Sequence, residues 1–217
     1  MVMSNTDNVI EVKDVNLIIG KEHILHDISV SLEKGKIHGL VGRNGSGKTM
    51  LMKCICGFVR YTDGEIRVDG LRIGKDIDFP KNIGIIIETP GFIPYYSGYK
   101  NLKLLAGLKN NIGRKEIEET IELVGLDPKL KKSVRKYSLG MRQRLGMAQA
   151  IMENPEILVL DEPMNGLDKQ GVNDMRELLM KLKEQGKTII LASHSTEDIE
   201  ILCDTVHEMD KGVISEM

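Results

Sequence analysis

Ile37-His38-Gly39-Leu40-Val41-Gly42-Arg43-Asn44-Gly45-Ser46-Gly47-Lys48-Thr49 is the stretch on which the reading of the whole chain turns. Its first five residues form a short, nearly continuous apolar run, the pattern of a strand buried on both faces of a parallel sheet. The next eight match GxxxxGK[ST] in full, and Met50–Ile55 can open a helix, so the segment predicts a strand–P-loop–helix unit. The spacing has a physical reason: backbone N–H groups must curl around a polyphosphate, and glycines permit conformations and a close approach that a Cβ would block. On this reading Gly42, Arg43, Asn44, Gly45, Ser46, Gly47, Lys48, Thr49 and Met50 hold the phosphates of a nucleotide. Lys48 reaches the β- and γ-phosphates, the Thr49 hydroxyl ligates Mg²⁺, and the helix N-terminus adds partial positive charge.

Two further strand ends carry polar tips. Ile157-Leu158-Val159-Leu160-Asp161-Glu162 is a buried strand closing on two acids. Alone, such a pair is usually a solvated turn. Beside a P-loop, Asp161 is placed to hold Mg²⁺ through water and Glu162 to polarise an attacking water. Thr188-Ile189-Ile190-Leu191-Ala192-Ser193-His194 ends on an imidazole at the same sheet edge, able to donate to a γ-phosphate and sense its presence.

Around these motifs the chain is alternately strand and helix. Ile37–Val41, Ile83–Ile87, Ile157–Leu160 and Thr188–Ala192 read as parallel strands buried on both faces. Ile117, Ile121 and Val124 mark one helix; Val172, Met175, Leu178, Leu179 and Leu182 mark another, which Gly186 ends. Nearer the N-terminus the period is two: Val15, Leu17, Ile19 and Ile28, Val30, Leu32 face one way. Asp69-Gly70 between Ile66-Arg67-Val68 and Leu71-Arg72-Ile73 predicts a hairpin, because that pair tolerates the positive φ of a two-residue turn. The expected fold is α/β: a P-loop core with a mainly parallel sheet, an N-terminal antiparallel β subdomain, and an inserted helical subdomain at about 90–155, all within one domain spanning 1–217.

Composition agrees. The chain has 217 residues, enough for one domain, and 41% of them are hydrophobic, enough for a large aliphatic core. A net charge of −2 supplies no global positive field, so a nucleic-acid partner is not expected. No apolar run approaches the roughly 18–20 residues needed to cross a bilayer, and Met1–Val9 is polar, unlike a secretion signal. Cys54, Cys56 and Cys203 lack the paired spacing of a disulfide framework or zinc site and read as reduced thiols.

Tyr137-Ser138-Leu139-Gly140-Met141-Arg142-Gln143-Arg144, with Pro155 ahead of the acidic strand, resembles the LSGGQ signature of the nucleotide-binding subunits of ATP-binding cassette (ABC) transporters. Asn165-Gly166-Leu167-Asp168 is similar to that family's D-loop, and His194 to its switch histidine. The likeness runs from Val9 to Met217. Read physically, Ser138 is an N-cap, and the helix start behind it is a second anion-binding surface. The resemblance implies that two subunits pack head to tail, Ser138 and Gly140 of one meeting the γ-phosphate held by Lys48 of the other, with Asp168 at the same interface. It further implies an ATP-hydrolysing cytoplasmic subunit, peripheral on the inner face of the membrane, joined to separately encoded integral membrane subunits.

Four residues make three departures from the family pattern. Leu139 and Met141 replace a glycine and a glutamine of the signature. Glu88 stands where the Q-loop glutamine is usual; a carboxylate can ligate Mg²⁺ but cannot donate an amide hydrogen. Ile19 occupies the place of an aromatic that stacks on adenine, which implies weak base selectivity. Glu88-Thr89-Pro90 with Tyr137–Met141 is most similar to the group that exports or resists peptide antibiotics such as bacitracin and lantibiotics. The groove around Glu88 and Phe92–Leu105, with Tyr95, Tyr96 and Tyr99, either receives a helix of the membrane subunit or packs on its own helical subdomain. Two other classes remain: an ABC-type ATPase of DNA repair or chromosome structure, whose coiled coil this chain lacks, and a small-molecule P-loop kinase.

Overall fold

The computed structural model describes residues 8–109 and 111–216. All but the last two residues of the polar stretch Met1–Val9 lie outside them. The first half of the chain runs β1 (Asn8–Ile19), β2 (Glu22–Glu33), β3 (Ile37–Val41), α1 (Lys48–Ile55), β4 (Asp63–Val68), β5 (Leu71–Arg72) and β6 (Ile83–Ile86). Three helices follow, α2 (Gly98–Lys109), α3 (Arg114–Leu123) and α4 (Leu139–Ile151). The last third alternates as β7 (Ile157–Asp161), α5 (Lys169–Glu184), β8 (Thr188–Ala192), α6 (Thr196–Leu202), β9 (Thr205–Asp210) and β10 (Val213–Glu216).

Two sheets result. The N-terminal one is antiparallel, in the order β2-β1-β4-β5; the other has six strands in the order β10-β9-β3-β8-β7-β6, parallel except for β10. The Asp69-Gly70 hairpin forms as its residues dictate, with φ of 50° and 75° at the two turn positions. In β1 and β2 the period-two alternation changes phase at Asp14 and Asp27, within two of the four register shifts between these strands, and φ is positive at both residues. Asp14 and Asp27 then accept side-chain bonds from Ser29 (3.0 Å) and Asn16 (2.7 Å). Each bulge returns the apolar residues to one face, so Val12 and Val15, or Leu25 and Ile28, all point inward.

Odd and even residues of the parallel strands feed two cores. Ile37, Leu158, Leu160, Ile189 and Leu191 pack against α4 and α5, while Leu40, Ile157, Val159, Ile190 and Ala192 pack toward α1 and the antiparallel sheet. Each such fully buried Leu or Ile contributes about 2 kcal/mol. One expectation needs correction. Ile83 and Ile85 are only half-buried, because β6 is the outer strand and has a neighbour on one side only. Helices α2 to α4 fall within the stretch 90–155, and Arg144 ties them to the rest: it donates to the Val124 carbonyl at 2.7 Å and to Asp174 of α5 at 2.8 Å. Burial pushes the Cys54 and Cys56 thiols up to about 12, which keeps them unreactive. Among the described residues no helix is long and apolar enough to cross a membrane.

Candidate functional site

The carboxyl ends of β3, β7 and β8 lie side by side, and their loops build the site. The loop after β3 closes on itself through Ser46 N–H to the Arg43 carbonyl (3.1 Å) and is strapped to the β9–β10 turn by Gly212 N–H to the Ser46 carbonyl (2.9 Å). Glycine is obligatory at Gly42: φ is 141°, and a Cβ there would lie 2.2 Å from the Met209 carbonyl oxygen. Gly47 caps α1 with φ 108° and offers no side chain, so the first N–H groups of the helix stay open. Lys48 is buried and its Nζ donates to the carbonyls of Gly42 (2.6 Å) and Arg43 (3.1 Å), which aims the ammonium into the curl of the loop. The Ser46 hydroxyl is buried there without a partner among the described residues.

Thr49 Oγ1 donates to Asp161 Oδ2 at 2.7 Å, so two hard oxygen donors from different strand ends meet beside Lys48. This donor pair, the orphaned Ser46 hydroxyl and the open helix start fit a polyphosphate with a divalent cation. Glu162, the next residue, has φ 52°, a left-handed conformation that costs a bulky residue about 1–2 kcal/mol. Three bonds hold it there: its N–H donates to the Ala192 carbonyl (2.9 Å), and its carbonyl accepts from Asn165 N–H (3.1 Å) and Gln143 Nε2 (3.1 Å). Its side chain is thereby turned toward His194, whose Nδ1 lies 2.8 Å from Glu162 Oε2. A carboxylate and an imidazole so paired can take and relay a proton.

A cavity of about 610 Å³ unites Asn44–Met50 of the loop with Glu88, Asp161, Glu162 and the first turns of α4. Ser138, Gly140, Asp168 and His194 stand outside it. Ser138 is exposed and caps α4, its Oγ accepting from Met141 N–H at 3.2 Å. Leu139 lies across Gly166, so the replaced signature glycine is a contact to the loop before α5. Asp168 is exposed and caps α5, accepting from Gly171 N–H at 2.8 Å.

Glu88 lines the cavity, but its Oε1 is held by Lys53 Nζ at 2.5 Å, so its carboxylate is shared with α1 rather than grouped with Thr49 and Asp161. Among the described residues no three His, Cys, Asp or Glu side chains are clustered as a metal site. Ile19 is 48% exposed at the end of β1. Of the tyrosines, Tyr96 lies beneath Lys100 (3.6 Å), Tyr95 beside Arg135 (5.4 Å), and Tyr99 packs on the helical core. A groove of about 440 Å³ runs along the outer strand β6, its apolar wall made by Phe58, Ile83, Ile85, Ile87, Leu105 and Leu108 and its rim carrying Lys81, Lys109 and Glu153 among other polar groups. Gln143 carried no assigned role in the sequence; its one signal was an amide in the middle of a helical run that buries it.

A profile of the family described as ABC transporter matches residues 25–165. The ABC transporter ATP-binding protein YybJ of Bacillus subtilis (strain 168), itself uncharacterized, is 45% identical over 204 residues, 94% of either chain. The bacitracin transport ATP-binding protein BcrA of Enterococcus faecalis is 42% identical over 210 residues, 96% of this chain and 68% of that one. The lantibiotic transport ATP-binding protein SrtF of Streptococcus pyogenes is 34% identical, covering 95% of this chain and 89% of its own. In fold the chain is similar to the ATP-binding cassette MJ0796, solved as a dimer in a post-hydrolysis state bound to ADP and Pi, with a TM-score of 0.87 at 23% identity over 96% of this chain and 97% of that one.

Proposed function

The chain belongs to the ABC transporter family as an ATP-hydrolysing subunit, and from that premise we propose that it powers export of, or resistance to, a peptide antibiotic or similar amphiphile. The bacitracin and lantibiotic transport proteins among its relatives support the substrate class. The observation that carries the hydrolytic reading is the Glu162–His194 contact beside the Thr49–Asp161 pair.

In this reading Gly42–Met50 wrap the triphosphate, and Lys48 exchanges its loop carbonyls for the β- and γ-phosphate oxygens. Thr49 and Asp161, with Glu88 once released from Lys53, would hold Mg²⁺, which supplies charge neutralisation at the phosphates. Glu162 orients and deprotonates the attacking water, and His194 steadies Glu162 and contacts the γ-phosphate. A second copy of the chain supplies Ser138, Gly140 and Asp168, which explains why these three stand outside the cavity of their own chain. Two half-sites closing on ATP and parting after hydrolysis make a population switch.

Residues 90–155 serve as the helical subdomain, and the groove along β6, with its apolar wall, receives a helix of an integral membrane subunit, which keeps the chain cytoplasmic and peripheral. Glu162→Gln should bind ATP and persist as a dimer, because the phosphate contacts survive while water activation is lost; light scattering that finds a monomer at saturating ATP would refute the shared site. Co-purification from native membranes tests the membrane partner and narrows the cargo.

A further inference from the structure

Arg176 lies on α5, outside the nucleotide cavity, in no motif of the sequence. Its Nε and Nη2 both donate to Asp198 Oδ1, at 2.8 and 2.5 Å, and Nη1 reaches Glu197 at 3.1 Å. The Arg176 side chain is 13% exposed and that of Asp198 5%, so the pair is taken largely out of water, where the Asp198 carboxylate would be left uncompensated without Arg176. Asp198 in turn holds the loop that precedes α6. Its N–H donates to Ser195 Oγ at 3.3 Å, its Oδ2 lies 3.5 Å from Ser193 Oγ, and Ser193 Oγ accepts from Ser195 N–H at 3.1 Å. His194 sits between those two serines, its ring exposed, with Glu162 as its ion-pair partner.

We infer that Arg176 is a positioning residue for hydrolysis: by fixing Asp198 it fixes the Ser193-His194-Ser195 turn, and through that turn the imidazole against Glu162. The inference rests on the hydrolytic role proposed above for Glu162 and His194. The alternative is a plain structural pin between α5 and α6. The guanidinium fork matters to the difference, because a lysine keeps the charge but cannot present two fixed donors to one carboxylate.

The test uses the full chain with Arg176→Ala, Arg176→Lys and Asp198→Asn, measured in two ways. One is steady-state ATP hydrolysis. The other is the ring resonance of His194 in ¹³C-histidine protein at a single fixed pH, identified by its loss in His194→Ala. Arg176→Ala should lower kcat about tenfold while leaving KM for ATP within about twofold, since the phosphate loop is untouched. It should also move the His194 resonance toward its position in Glu162→Gln, and Arg176→Lys should recover part of both effects. An unmoved resonance with unchanged kcat overturns the inference. So does a fall in kcat with the resonance in place and a lower urea midpoint, the mark of a pin alone. If Arg176→Ala does not fold, Arg176→Lys and Asp198→Asn decide by the same pair of readouts. Full hydrolysis by His194→Ala would overturn the reading beneath, while the resonance still decides whether Arg176 places the ring.

Discussion

Lys48 shows what a single side chain contributes. Its ammonium is already desolvated and held by two carbonyls of its own loop, so little order would have to be gained if phosphate oxygens replaced them as proposed. Lys48→Ala should weaken ATP binding roughly tenfold to a hundredfold, the worth of one charge-assisted contact; calorimetric titration measures it, and unchanged affinity would reject the role. Glu88 presents the opposite case, a carboxylate already occupied by Lys53. Glu88→Gln should release Lys53 and shift the Mg²⁺ dependence of hydrolysis, whereas an unaltered Mg²⁺ titration would place the residue outside the site. The difference between the two also marks what was legible at this scale. Lys48, Thr49, Asp161, Glu162 and His194 follow from loop spacing and strand ends, which are local. The Lys53–Glu88 pair depends on α1 lying alongside the turn after β6, and the sequence carries no periodicity that reports it.

Element by element, the strongest local signals translated directly. Gly186 ends α5 with φ 83°, its N–H donating to the Lys183 carbonyl (2.8 Å) and Lys187 N–H to that of Leu182 (3.1 Å), the paired bonds of a Schellman turn. Gly186→Ala forces a Cβ into the left-handed region although nothing crowds the position, so it should cost about 1 kcal/mol, read as a lower urea midpoint with ATP hydrolysis per folded molecule unchanged. Weaker signals were lost. β9 reads Thr205-Val206-His207-Glu208-Met209-Asp210, where only His207 and Met209 turn inward, and its place next to β3 comes from a pairing across more than half the chain. The bulges at Asp14 and Asp27 look in the sequence like ordinary exposed acids. Each is apparent only from the partner strand whose register it corrects.

At the scale of the whole molecule, the two sheets meet over a pair of buried histidines. His38, on β3, bonds Thr205 Oγ1 (2.7 Å) and the Glu33 carbonyl (2.8 Å); His207, on β9, leaves Nε2 buried without a partner among the described residues. Burial lowers the pKa of both rings below the ordinary histidine value, against the raising influence of the Glu33 carbonyl, Glu33 and Asp204 on His38 and of Glu216 on His207. Since the unfolded chain then binds protons at higher pH than the folded one, stability is complete above about pH 6.5 and declines as the pH falls below it. Urea midpoints should drop between pH 7.5 and 5.5, by a stability loss on the order of 1 kcal/mol, and His207→Phe should flatten the slope. The shifted acids Asp76, Glu116, Asp174, Glu197 and Asp204 are lowered from an already acidic range, so their loss falls at lower pH and does not confound that window. The outer strand β6 carries a last consequence. Its outer rim runs beside Phe58 and Leu108, both largely uncovered, and an open strand edge next to exposed apolar side chains is a surface on which copies of one chain adhere to each other unless something covers it.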